Sequence, residues 1–252
     1  MTETEAPSAP SQQPSRRGSG FVRAVRVLGW TFIGLGVFLL GFVAQQLFVT
    51  TYFAQQANEG LAVEAQTYFD EVEITEVPYV PTTVPGEVLP EPADPDLPPP
   101  TLLVEAPPEL SQPFAIIRIP TIDRLVDGWT VVEGTSVKNL RNGAGHMPLT
   151  PLPGQPGNAV ISGHRTTYGA PFHELDTLEP GDLIEVETAI GVHTYAVSET
   201  VIVSPRDVWV TEPREGSWLT LTTCHPKFSS RQRLVVFAEL VDGPNYEAIV
   251  GA

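Results

Sequence analysis

From Val27 to Thr50 the chain carries no charged residue, and Leu, Ile, Val, Phe and Gly dominate. In hydrocarbon every backbone N–H and C=O must be satisfied within the segment, so ~20 such residues in a row predict a membrane-crossing helix. A cleaved leader is the competing reading. The stretch exceeds the usual h-region of ~7–15 residues. Ala44 also leads into Gln45-Gln46-Leu47-Phe48, not into a small-residue cleavage site. Arg16, Arg17, Arg23 and Arg26 precede the span, and no Lys or Arg follows until Arg118. That asymmetry predicts a single pass with the N-terminus inside and the bulk of the chain extracytoplasmic. Residues 1–26, rich in Ser, Pro and Gln, read as a disordered cytoplasmic segment.

The net charge of −16 is unevenly placed, since residues 27–117 hold twelve Asp or Glu and no Lys or Arg. Nucleic acid, which needs a basic face, is excluded as a partner. Residues 51–77 mix apolar and acidic positions and predict a short juxtamembrane helix. Residues 78–113 contain twelve prolines, among them Pro98-Pro99-Pro100, and predict an extended spacer. In polyproline II form at ~3.1 Å per residue it reaches on the order of 100 Å. Residues 51–112 are therefore expected to be a juxtamembrane segment and an acidic Pro-rich stalk.

Beyond the stalk, residues 113–244 have strand chemistry, and 245–252 form a short tail. Phe114–Ile119, Trp129–Val132, Asn158–Ser162, Asp182–Thr188, His193–Val203, Trp218–Thr223 and Arg233–Leu240 are β-rich runs punctuated by Gly, Pro, Asp and Asn. Only Thr135–Asn142 and Pro171–Leu178 suit a helical turn or two. An all-β domain of seven to eight strands, a barrel or a sandwich, is expected.

Cys224 is the single cysteine of an exported domain. Exported proteins use cysteines in pairs, so an unpaired thiol has either a buried structural role or a reactive one. It ends the run Trp218-Leu-Thr-Leu-Thr-Thr-Cys224 where strand gives way to loop, a position that often carries chemistry. His164 ends the run Asn158-Ala-Val-Ile-Ser-Gly-His164 in the same way. His146, His173, His193 and His225 compete with it; His225 adjoins Cys224 but, in an extended chain, points to the opposite face. Arg233 opens the last run, and Arg231 shares its parity. No HExxH or Cys/His cluster is present, so no metal site is expected.

Thr220-Leu-Thr-Thr-Cys224 resembles the Thr-Leu-any-Thr-Cys signature of the sortases. Asn158-Ala-Val-Ile-Ser-Gly-His164-Arg165 resembles the segment that carries their catalytic histidine, and an Arg in the following strand completes the family's order. Further matches are Leu140-Arg-Asn-Gly-Ala-Gly-His146, Pro153-Gly-Gln-Pro-Gly157 and Thr166-Thr-Tyr-Gly-Ala-Pro-Phe172. The resemblance spans roughly residues 114–241 and implies the closed sortase β-barrel. Thr-Cys-His-Pro, the N-terminal anchor and the nine-residue Cys-to-Arg interval look most like class E, the housekeeping type of high-GC Gram-positive actinobacteria. That interval favours Arg233 over Arg231.

The resemblance implies a cysteine transpeptidase at the cell membrane. Cys224 would attack the Thr carbonyl of a Leu-Ala/Pro-any-Thr-Gly sorting signal on a secreted protein. His164 would serve as acid and then base, and Arg233 would stabilise the oxyanion. The thioacyl group would pass to a peptidoglycan-precursor amine. Thr223 and Tyr168 are candidate substrate contacts. No cofactor is implied; Glu174, Asp176, Glu179 and Asp182 form no ligand loop of defined spacing, which leaves calcium dependence open. Three alternatives remain: a pilin-polymerising class C sortase, a hydrolytic cysteine peptidase, and a non-catalytic membrane-tethered β binding module. If the stalk is only a spacer, removing residues 1–112 leaves peptide cleavage intact and abolishes surface display.

Overall fold

Alternation of apolar and polar side chains closes the second half of the chain into a barrel. In the computed structural model, which describes residues 19–45, 50–80 and 99–251, the chain divides into two units, residues 1–45 and 46–252. The first contains α1 (Ser19–Ala44), long and apolar enough to cross a membrane. It starts earlier than the uncharged stretch because Arg23 and Arg26 have no helix-breaking tendency. The disordered segment expected before residue 19 lies outside the described residues.

The second unit begins with α2 (Thr50–Glu71), followed by β1 (Ile74–Pro78) and β2 (Thr101–Glu105), which pair antiparallel. The barrel strands are β3 (Pro113–Arg118), β4 (Trp129–Glu133), β5 (Ala144–His146), β6 (Gly157–Ser162), β7 (Leu183–Thr188), β8 (Gly191–Val203), β9 (Ser217–His225) and β10 (Gln232–Asp242). They close in the order β10-β8-β7-β3-β4-β5-β6-β9. Helices are short: α3 (Val137–Asn142) between β4 and β5, and α4 (Tyr246–Val250) at the end. The eighth strand, β5, escaped the sequence reading because Ala-Gly-His is too short to alternate.

Period-2 patterning decides which residues face inward. On β7, Ile184 and Val186 are buried while Leu183 is exposed. On β9, Leu219 and Leu221 point into the main core with Ile161 of β6 and Leu234 and Val236 of β10. Tyr195 is buried at its centre, and its hydroxyl accepts a hydrogen bond from Gly154 N at 2.7 Å. The outer face of β9 and β10 carries a second cluster, in which Val235, Phe237 and Val210 pack with Trp218, Val201 and Val203.

In the segment expected to be juxtamembrane helix and stalk, α2 and β2 are packed on the barrel, while β1 is exposed along its length and pairs with β2. Ala54, Ala65 and Tyr68 of α2 are buried. Asn58 Oδ1 accepts from Thr130 N of β4 at 2.8 Å. Leu102 of β2 enters the core, and the Asn245 side chain both donates to and accepts from the Leu103 backbone. Most of the proline-rich expectation, residues 81–98, lies outside the described residues.

Candidate active site

Three adjacent strands bring the sequence candidates into one row. β6 and β9 run parallel, with Ser162 opposite Thr222 as the last paired position. Gly163 N still donates to Thr222 O at 3.1 Å. Continuing that register sets His164 beside Cys224. On the other side of β9, β10 runs antiparallel with Arg233 directly opposite Cys224. Residues level across neighbouring strands present side chains to the same face. Since Leu219 and Leu221 face the core, Cys224 and Arg233 face outward, as does His164 by the parity of Ala159 and Ile161. Strand ends at a barrel rim thus align a thiol, an imidazole and a guanidinium.

Each of the three has its own surroundings. Cys224 is a free, half-buried thiol. Arg233 is half-buried, and its Nη1 donates to the carbonyls of Ser230 and Gln232 at 3.1 and 3.0 Å, so it is folded back on its own turn. His164 is half-buried. Burial first, and the nearby Arg141 charge second, pull its pKa below the ordinary histidine value, which favours the neutral imidazole.

The two candidate substrate contacts differ from each other. Tyr168 stands in the rim, its ring centroid 5.2 Å from that of His164. The Arg141 guanidinium of α3 lies 5.5 Å from the other partner ring, that of Tyr168. Thr223 instead follows the inward parity of Leu219 and Leu221. It is 3% exposed, and its hydroxyl donates to Gly163 O at 2.8 Å. Its side chain therefore ties β9 to the turn before His164 and is turned away from the face of Cys224. The alternation of the strand itself carried that information.

The loop after β6 is held from behind. A Cβ on Gly163 would come within 2.6 Å of the buried Phe172 ring, so only glycine lets the chain pass there. Gly169, at φ +76°, is clasped between the Trp129 ring and Ala54 of α2; a Cβ there would overlap Trp129 and meet the Ala54 methyl at 3.4 Å. Arg165, which the sequence reading left without a role, is 2% exposed and reaches the Cys224 carbonyl. A basic residue in a polar loop reads as surface, so its burial left no local signal.

The outer face continues down β9 and β10 from Cys224 and Arg233 to Phe237 and Trp218. There the connection between β8 and β9 folds over it: Trp209 packs on Phe237 at 5.9 Å, and Arg214 lies 3.7 Å from the Phe237 ring. The acids considered for calcium have other partners. Asp176 pairs with Arg165 and Lys227, Glu174 approaches Arg124, and Asp182 caps Glu179 N. Among the described residues no group of three or more His, Cys, Asp or Glu is arranged to hold a metal ion.

A profile of the Sortase domain matches residues 117–241. Sortase SrtE1 of Streptomyces coelicolor (strain ATCC BAA-471 / A3(2) / M145) is 30% identical over 262 aligned positions, covering 94% of this chain and 65% of that protein. Sortase D of Bacillus subtilis (strain 168) is 36% identical over 120 residues, 47% of this chain and 58% of its own length. The chain thus spans less than two thirds of the length of these curated relatives. Among solved structures, the SrtF sortase from Corynebacterium diphtheriae is 30% identical with a TM-score of 0.51, covering 54% of this chain and 88% of that one.

Proposed function

The chain belongs to the sortase family and is class E-like, and on that premise we propose that it is a membrane-anchored cysteine transpeptidase acting at the outer surface. It cleaves a Leu-Ala/Pro-any-Thr-Gly signal between Thr and Gly and joins the Thr to a wall-precursor amine. The observation that carries this reading is the level row of His164, Cys224 and Arg233 across β6, β9 and β10.

The chemistry follows from that row. Cys224, as thiolate, attacks the Thr carbonyl carbon, and the carbonyl π electrons move to oxygen. Arg233 leaves its resting bonds to the Ser230 and Gln232 carbonyls and turns its fork of donors to the oxyanion. As the tetrahedral intermediate collapses, the C–N bond breaks and protonated His164 gives its proton to the departing Gly amine. The same imidazole then takes a proton from the incoming amine, whose nitrogen displaces the Cys224 sulfur. The lowered His164 pKa favours the neutral imidazole at rest. The family resemblance implies that the reactive thiolate–imidazolium pair is a minority species.

The substrate peptide lies extended on the outer face that carries Cys224 and Arg233. Arg16 and Arg17 before α1 and Arg23 and Arg26 near its start, with no Lys or Arg from 27 to 117, support the orientation with this site outside. The test uses a chain beginning at Thr50, a fluorogenic Leu-Ala-any-Thr-Gly peptide, its Pro counterpart and a Gly-containing amine. A joined Thr–amine product, absent with Cys224→Ala, is expected by mass spectrometry. Thr-terminated hydrolysis product alone, despite excess amine, refutes transfer in favour of a peptidase.

A further inference from the structure

We propose that Arg165 is a positioning residue for this reaction, whose guanidinium staples the strand end carrying His164 to the strand end carrying Cys224. The inference rests on the cysteine–histidine reading above. The backbone ladder between β6 and β9 runs out where Gly163 N meets Thr222 O at 3.1 Å. Past that point side chains hold the two ends. On the inner face the Thr223 hydroxyl bonds the Gly163 carbonyl. At the rim Arg165 Nη1 donates to Cys224 O at 3.3 Å and to His225 Nδ1 at 3.0 Å.

The rest of the side chain is anchored as well. Nη2 pairs with Asp176 Oδ2 at 2.8 Å, and Nε points at His173 O at 3.5 Å. His173 Nδ1 in turn donates to the Arg165 carbonyl at 2.7 Å. Asp176 also reaches Lys227, three residues beyond Cys224, at 3.6 Å. Burial alone would raise the Asp176 carboxyl, yet Arg165, Lys227 and a backbone hydrogen bond together hold the group below the usual carboxylate range.

A guanidinium with 2% exposure is costly to bury, and filling space there needs only an apolar residue. Its planar fork, by contrast, lets one group meet the Cys224 carbonyl and Asp176 together, which a lysine cannot copy. Fixing that carbonyl fixes the Cys224–His225 peptide plane and, through it, the direction of the Cys224 Cα–Cβ bond. Because Arg165 is bonded covalently to His164, one side chain sets the spacing of both reacting groups.

The test compares the full chain with its Arg165→Met, Arg165→Lys and Asp176→Asn variants, with thermal unfolding measured for each. Three quantities are read well below Tm: kcat and KM on the sorting-signal peptide, the pH profile, and the pH dependence of Cys224 alkylation by iodoacetamide. Arg165→Met is expected to lower kcat about 100-fold with KM changed little, the loss that a misplacement of ~1 Å brings. Its pH profile should change shape, because the imidazole no longer sits at a fixed distance from the thiol it serves. Arg165→Lys and Asp176→Asn should each lose about 10-fold. A folded Arg165→Met with parental kcat and pH profile, lowered only in Tm, overturns the proposal. If that variant does not fold, parental kcat and profile in both other variants overturn it equally. Absence of Cys224-dependent turnover in the parent chain refutes the transpeptidase reading instead; the alkylation profile then decides, and one unchanged by Arg165→Met or Arg165→Lys overturns the staple.

Discussion

A soluble chain beginning at residue 113 lacks α2 and the β1–β2 hairpin, and the barrel it leaves behind has lost part of its covering. Tyr68 and Leu102 are 8% and 5% exposed, and Ala54 and Ala65 are buried with them. Large side chains contribute about 1.5–3 kcal/mol each on burial and an alanine methyl about 0.8, so the gross loss is about 5–8 kcal/mol. The removed residues also no longer need ordering, which offsets part of that loss; each 1 kcal/mol that remains lowers Tm by about 2–4 °C in a domain of this size. Catalysis should suffer too. Ala54 backs Gly169, next to Tyr168, and Leu61 Cδ1 lies 3.6 Å from where a Gly143 Cβ would be, just after the Arg141 helix. Tyr168 and Arg141 are the residues stacked towards His164. Loosening their support should cost about 10-fold in kcat. Calorimetry and steady-state kinetics on chains starting at residues 50 and 113 check this. Equal Tm and equal kcat/KM would refute the reasoning and restore the spacer view of residues 50–112.

Two further outcomes follow from buried or neighbouring charge. Arg141→Gln removes a cation that disfavours the His164 imidazolium, so the limb of the pH–rate profile set by that group should move to higher pH; an unmoved limb refutes the electrostatic link. Burial pushes Glu105 up from 4.5 to about 7 and pulls His193 down from 6.5 to about 4. Between pH 4.5 and 6.5 the native state keeps the Glu105 proton and the unfolded chain keeps the His193 proton, so their opposite slopes cancel and stability is flat. Glu105→Gln leaves His193 alone, whose contribution is present above 6.5 and lost towards 4. Denaturant unfolding of that variant should therefore lose about 3 kcal/mol from pH 6.5 to 4, and a flat curve would refute the assignment.

How much of this was legible in the chain depends on the range over which each signal acts. Strands announce themselves locally, and the seven β-rich runs reappear as barrel strands because alternation is written within each segment. Cys224 and His164 stood out because each ends such a run. Parity left Arg231 and Arg233 equivalent, and the cross-strand register alone puts Arg233 opposite Cys224. The inward turn of Thr223 was readable, since it shares parity with Leu219 and Leu221. Arg165 was not: its partners Cys224, His225 and Asp176 come from other segments, and nothing in its own neighbourhood marks it as buried.

Residues 50–112 show how composition misleads when it is averaged. The stripe on α2 runs Ala54, Asn58, Leu61, Ala65 and Tyr68, and Val72 follows it just past the helix end, steps of four and three that mark one helical face. Two of its members are alanines and a third, Asn58, is polar and there to meet Thr130 N, so the stripe sinks beneath the acidic residues around it. Prolines mislead differently. They fix local φ and exclude helix, but they carry no information about distance from the rest of the protein. The partners that seat β2 lie far along the chain: Asn245 and Gln155 bond the Leu103 backbone, and Glu105 accepts from Ala189 N. A segment can thus be proline-flanked, acidic and still a wall of the folded unit. In this chain the neighbouring part of that wall, α2, stands behind the loop that presents His164, with Ala54 against Gly169.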